Sequence, residues 1–169
     1  YLKHSRMKYD VVFTSPPYGD NHTTVSYGQY SILPLRWMNW KDIDDNMSEK
    51  LIETQCEIDN ISLGGKRIAD NKFQNIIVEK SNTLKELICE IQAKNPKQIG
   101  KIVSFYYDFD MFLEVLTKRL KPNAISVWTV GNRQVAKQEI FMDKILIELG
   151  EKYNLSFLTS FSRKILKKR

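Results

Sequence analysis

Asp10-Val11-Val12-Phe13-Thr14 is a short, apolar, β-branched run, the pattern of a strand covered on both faces. Ser15-Pro16-Pro17-Tyr18 and then Gly19 follow it directly. Residues 19–40 are rich in Gly, Asn, Asp and aromatic groups, which argues against a long regular element before about Ile32. From Leu35 a short helix or turn is expected, with Trp37 and Trp40 about one turn apart. Residues 41–60 alternate acidic and apolar positions and predict a helix. The stretch SLGGKRIADN, Ser62 to Asn71, breaks that pattern and predicts a solvent-exposed turn. Its Gly64-Gly65-Lys66 has neither the glycine spacing nor the Ser/Thr of a phosphate-binding loop.

The remainder is more regular. Leu84, Leu87, Ile88 and Ile91 recur at helical spacing between Ser81 and about Lys94. Ser81 or Thr83 can cap the start of that helix, and Asn95-Pro96 ends it. Phe105, Phe109, Phe112, Leu113, Leu116 and Leu120 share one face of an amphipathic helix that stops before Pro122. Residues 124–132, AISVWTVGN, read as a second buried strand ending in a Gly-Asn turn. Residues 138–154 read as a helix and 155–165 as a third strand. Strands alternating with helices predict an α/β sheet with helices on its faces. The whole of 1–169 is expected to be one domain, with a helical and loop insertion at about 41–100. Ligands collect at the carboxyl ends of strands in such sheets. Ser15–Tyr18 and Gly131-Asn132-Arg133 both fall at such ends.

Composition narrows the class. With 169 residues, 42% apolar and 27% charged, the chain suits one folded domain rather than a disordered one. No apolar run is long enough to span a bilayer and no secretory leader opens the chain, so no membrane role is expected. Cys56, Cys89, His4 and His22 have no metal-ligand spacing, so no metal is expected, and two separated cysteines suit a reduced, cytoplasmic protein. The net charge of +6 is unevenly placed. Basic and acidic side chains balance over the first hundred residues, so the excess lies in residues 101–169. Arg163 to Arg169 is cationic at every position except Ile165 and Leu166. Such an end is either a solubilising tail or a contact for a polyanion such as nucleic acid.

The prolines carry the chemistry. Two pyrrolidine rings fix φ, and the residue before each is pushed towards extended geometry. The loop after the first strand is therefore stiff, with carbonyls that local turns cannot all use. Rigid acceptors beside the ring of Tyr18 suit a flat, hydrogen-bonding ligand.

Thr14-Ser15-Pro16-Pro17-Tyr18 after DVVF resembles the catalytic motif of amino-group DNA methyltransferases, which methylate N4 of cytosine or N6 of adenine. The stretches GDNHTTVSYGQYS, LGGK, SFYYD, TVGNR (129–133) and the closing run at 163–169 resemble one bacterial, restriction-modification subgroup of that family, in the same order. The resemblance implies a Rossmann-like fold dependent on S-adenosyl-L-methionine. It also implies double-stranded DNA as the partner, with one base flipped out of the stack. Ser15, Pro16, Pro17 and Tyr18 would form the catalytic motif, Thr14 and Pro16 would touch the cofactor, and Tyr18 would stack on the base. Tyr27 would border the base or else pack its own loop. Asn132 would support the pocket or be a plain turn residue, and Arg133, Arg163, Lys167, Lys168 and Arg169 would meet phosphate. In the family, Ser at the first motif position goes mostly with cytosine N4, while adenine N6 stays open.

One departure is large. The family holds its cofactor with a Gly-rich loop after a strand, and none of the 7 glycines here has that arrangement. The expectation is therefore the catalytic half of the sheet with the cofactor-loop half missing: one subunit of a split enzyme, a truncated piece or the product of a broken gene, with a second polypeptide expected to carry the loop. A non-catalytic specificity subunit with a methyltransferase-like half-fold is the alternative; it leaves the Ser-Pro-Pro-Tyr motif without a task.

Overall fold

The structure, a computed structural model, describes residues 6–17, 27–39, 42, 48–65, 71–135 and 138–163, with backbone alone at 71, 133–135 and 138. In chain order the elements are β1 (Tyr9–Thr14), α1 (Tyr27–Trp37), α2 (Gln55–Ile61), α3 (Asn71–Val78), α4 (Asn82–Lys94), α5 (Ile99–Thr117), β2 (Leu120–Trp128), β3 (Arg133–Val135), β4 (Gln138–Ile140) and α6 (Met142–Glu151). Short 3₁₀ turns at Glu49–Ile52 and Pro96–Gln98 precede α2 and α5. This is a mixed α/β arrangement with a small parallel sheet. Among the described residues no helix is long and apolar enough to cross a membrane.

β1 and β2 pair in parallel, with Val11 opposite Ile125, Phe13 opposite Val127 and Thr14 opposite Trp128. Parallel strands need a long crossover, and α1 to α5 all lie in this one. Helix α5 forms the centre of the core: Ile102, Phe105, Tyr106, Phe109 and Leu113 are buried against Ile77, Leu84, Ile88 and Ile91 on one side and Ile145 and Leu149 on the other. It also backs the strand pair. Trp128 meets Phe109 and Phe112 edge-on, with ring centroids 5.8 and 6.3 Å apart.

The expected helix 81–94 is present as α4, with Ser81 accepting from the Leu84 amide at 3.0 Å and Asn95 closing it. Elsewhere the structure corrects the sequence pattern. β1 is not covered on both faces: Val11 and Phe13 are 62% and 75% exposed, and Ile125 and Val127 beside them 51% and 41%. The alternate positions Val12, Thr14, Ala124, Ser126 and Trp128 are half-buried.

Helix α1 begins at Tyr27, earlier than expected, and contains Pro34. Its start is fixed by tertiary contact: the Gly28 amide donates to the buried Asp59 carboxylate at 2.8 Å, a negative group on a helix's positive end. The acidic and apolar run at 41–60, in its described part, is a 3₁₀ turn and α2, divided where the Thr54 hydroxyl accepts from the Glu57 amide. The LGGK turn is buried at Gly64 and Gly65 rather than exposed.

The long aromatic helix ends at Thr117, so Leu120 belongs to β2 and not to its apolar face. β2 starts earlier than residue 124 and stops at Trp128. Pro122 is tolerated because the register shifts between Tyr9 and Val11, where Asn123 takes φ 62° and the chain bulges. β3 and β4 pair antiparallel, with Arg133 opposite Ile140, and the following helix is shorter than 138–154. The third strand, 155–165, is not formed in its described part, 155–163. A strand needs a neighbouring ladder, and Phe157, Leu158 and Phe161 are exposed instead.

Candidate functional site

The Thr129 amide donates to the Thr14 carbonyl at 2.9 Å, so the ladder runs to the ends of both strands. Because the strands are parallel, Ser15-Pro16-Pro17 and Val130-Gly131-Asn132 leave at the same edge of the sheet. Ser15 and Asn132 are exposed, Pro17 and Thr14 are half-buried, and Pro16 is buried. The prolines have no amide hydrogen to give to a turn, and burial of Pro16 fixes the loop from beneath. Thr14–Pro17 and Thr129–Asn132 contain no ionisable side chain. What this edge offers is hydroxyl and carbonyl oxygen on a stiff frame.

The expected site residues are only partly gathered here. Thr14, Ser15, Pro16 and Pro17 stand on one strand exit, and Asn132, with the backbone of Arg133 opening β3, on the other. Tyr27 is the first residue of α1 and 40% exposed. Its helix is held by α2, through Gly28 on Asp59 and through Arg36, whose guanidinium donates to the Ile52 and Glu53 carbonyls at 2.9 and 2.6 Å. Arg163 is exposed at the end of the extended segment. Tyr18, Lys167, Lys168 and Arg169 lie outside the described residues.

Two segments of the family-like pattern do meet. The Gly64 amide donates to Asp108 at 2.8 Å. Gly64 has φ +73°, and a Cβ there would lie 2.9 Å from the Phe105 Cα, so only glycine lets the LGGK turn approach SFYYD. Sequence reasoning missed this contact, and Asp108 inside an aromatic helix was its one outward sign.

Sequence reasoning also missed the polar network behind the core. Asp110, buried on α5, binds the Lys80 ammonium at 2.5 Å and accepts from the Tyr153 hydroxyl at 2.8 Å, while Lys80 also donates to Tyr153 at 2.9 Å. Burial opposes the charge on Lys80, but the hydrogen bonds to Asp110 and Tyr153 outweigh it and raise its pKa. Burial also raises that of Tyr153. Glu148 on α6 accepts from the Ser81 hydroxyl, from the Thr83 hydroxyl at 2.6 Å and from the Thr83 amide at 3.1 Å. Partial burial works against its charge, and these donors overcome it and lower its pKa. Every member of this network is spent on another, so it joins α4, α5 and α6.

The described residues thus form a half-covered parallel strand pair with helices on one face and a proline-stiffened polar loop at the carboxyl edge, the edge where ligands collect in open α/β sheets. No family model matches the chain, and no solved structure matches it. Over 95% of its length the chain is similar to the Type II methyltransferase M.MvaI of Kocuria varians, with 41% identity across 164 residues. It spans about a third, 34%, of that relative's length.

Proposed function

We propose that the chain is the catalytic part of a DNA methyltransferase of the restriction-modification kind, acting in the cytoplasm on an exocyclic amine of a flipped base, cytosine N4 in preference to adenine N6. The observation that carries this reading is the similarity to a Type II methyltransferase across nearly the whole chain. The proline-framed loop at the carboxyl edge of β1 agrees with it.

S-adenosyl-L-methionine, when bound, would supply an electrophilic methyl group. The fit of this chain to that cofactor is one-sided. Thr14 and Pro16 offer a wall at the sheet edge. Gly28, Gly64 and Gly65, in contrast, are pressed against the backbone of neighbouring segments and are used in packing. A Gly-rich cofactor loop would therefore come from further polypeptide, and the complete sheet would be Rossmann-like.

The amine on cytosine is a weak nucleophile because its lone pair is shared with the ring. The Ser15 hydroxyl and the Pro16 carbonyl accept its N–H bonds, which favours a tetrahedral nitrogen and frees the lone pair for attack. Transfer would form the C–N bond as the cofactor's methyl–sulfur bond breaks, leaving the thioether product, and the surplus N–H proton would pass to water. Tyr18 stacks on the extruded base; that contact is worth ~1–3 kcal/mol, comparable with the few kcal/mol that flipping costs. Arg133 and the basic end meet phosphate.

The test is transfer of a radiolabelled methyl group from S-adenosyl-L-methionine to duplex DNA, followed by nucleoside analysis. An assembly of this chain with the remainder of a methyltransferase is expected to yield N4-methylcytosine. Absence of methylated base from a folded, cofactor-binding assembly would overturn the reading.

A further inference from the structure

Two buried side-chain atoms have no hydrogen-bond partner among the described residues: the Tyr106 hydroxyl and the Asp143 carboxylate oxygen Oδ1. Tyr106 lies on α5, inside the SFYYD stretch, and is 0% exposed. Asp143 lies in the first turn of α6, next to Met142, which shares the core cluster of Tyr106, Ile140 and Ile145. The two groups act on one another: burial raises the pKa of the Tyr106 hydroxyl, and the Asp143 carboxylate raises it further. Leaving such atoms unpaired is costly, and native cores satisfy nearly all of them. The amino end of α6 also lacks a side-chain cap, because Phe141 stands at its N-cap.

We propose that Tyr106 and Asp143 hold one internal water between them, and that this bridge seats the first turn of α6. A phenol hydroxyl offers one proton, and a carboxylate only accepts. A water molecule takes the first bond and gives the second, as buried waters do between polar groups that cannot meet. An anion there would face the carboxylate. A cation would find a single carboxylate, and no group of three His, Cys, Asp or Glu side chains that could hold a metal exists among the described residues. The seat matters through what is attached to it. β4 ends at Ile140 and α6 begins at Met142, while Arg133, which opens β3, pairs with Ile140. Gly131 and Asn132 precede β3 at the exit of β2. The β3–β4 pair is therefore held between the strand exits and the first turn of α6. Tyr106 thus acts as a positioning residue for the Asn132 side of the sheet edge. The bridge does not depend on the reaction proposed above and stands or falls apart from it.

A crystal structure of the chain at a resolution that shows ordered water reads the bridge directly. One water should lie about 2.5–3.0 Å from both Tyr106 Oη and Asp143 Oδ1. A direct Tyr106–Asp143 hydrogen bond, or two groups still unpaired, would overturn it. The test in solution is a double-mutant cycle of Tyr106→Phe and Asp143→Ala, read as unfolding constants from urea titration. With Asp143 present, Tyr106→Phe is expected to raise the unfolding constant about fivefold, the worth of an ordinary hydrogen bond. In the Asp143→Ala background the same change should have little effect, because the bridge is already lost. A hydroxyl without a partner behaves differently, since its removal relieves an unsatisfied group. An unchanged or lower unfolding constant in both backgrounds would therefore overturn the bridge. Amide exchange separates positioning from simple loss of stability. Tyr106→Phe should speed exchange of the β3 and β4 amides several-fold under conditions where they open locally, a rate that global unfolding does not set. Rates there equal to those of the unchanged chain would overturn the seating role.

Discussion

Ser15 sits exposed between β1 and a buried Pro16, and its position is set by the backbone of a proline-stiffened loop. Removing its hydroxyl should therefore alter chemistry without disturbing the loop. In an assembled enzyme, Ser15→Ala is expected to lower turnover ~10²-fold or more while DNA affinity, measured by fluorescence anisotropy, stays within a factor of a few. Loss of affinity equal to the loss of turnover would make Ser15 a binding residue. Tyr18→Ala should weaken capture of the target base by ~1–3 kcal/mol, read as fluorescence of 2-aminopurine at the target position. Tyr18→Phe should retain most of both signals, because stacking needs the ring; a phenylalanine variant as impaired as the alanine one would exclude the stacking role. Single residues were the most legible scale in the sequence. Two adjacent prolines after a β-branched strand restrict geometry by covalent structure alone, whatever surrounds them. Asp59 and Asp108 were illegible for the opposite reason: each matters through a backbone amide some thirty or more residues distant, Gly28 and Gly64.

Helices α4, α5 and α6 were visible at the scale of elements because their apolar spacing and the Ser81 cap are local signals. Their joints were not visible. The N-terminus of α4 is locked by Glu148 from α6, and Asp110 of α5 is locked by Lys80 and Tyr153. The early start of α1, the burial of the LGGK turn and the unformed strand at 155–163 share one cause: tertiary partners, present or lacking, override local propensity. The Glu148 joint gives a pH prediction. Its folded carboxyl titrates below the ordinary value of 4.5, so the stability it contributes is complete above that value and is lost as pH falls through the lower folded value. Glu148→Ala should cost ~2 kcal/mol near neutrality, from hydrogen bonds to a charged acceptor. The cost should shrink in acid as the wild-type carboxylate becomes protonated. Urea midpoints at pH 7 and pH 3 check this, and a cost independent of pH would reduce Glu148 to a packing residue. Lys80 and Tyr153 have folded pKa values raised from 10.5 and 10.0. Their contribution is thus present below those values and fades only at stronger alkalinity.

The described residues divide into a well-buried helical core and a strand pair with one exposed face, and the net positive charge arises in the later part of the sequence. That division predicts how the chain alone should behave towards its ligands. DNA binding through basic side chains needs no complete sheet, because counterion release depends on charge and reach rather than on a finished pocket. The chain alone should bind duplex DNA weakly and without sequence preference. Neutralising Lys167, Lys168 and Arg169 should flatten the slope of log affinity against log salt in proportion to the number of phosphates those side chains neutralise; an unchanged slope would leave that run as a solubilising end. Cofactor binding is more demanding. On the proposed reading Thr14 and Pro16 would touch only one side of S-adenosyl-L-methionine, and the glycines at 28, 64 and 65 are packed against backbone and leave no room for a cradle. A ligand held on one side stays largely hydrated and gains little of the burial that makes small-molecule sites tight. Calorimetric titration of the chain alone is therefore expected to give weak binding or none, with binding restored once polypeptide carrying a glycine-rich loop is added. Tight binding by a monodisperse monomer that methylates DNA unaided would show that this chain already holds a whole active site, and the need for a second cofactor wall would fall with it.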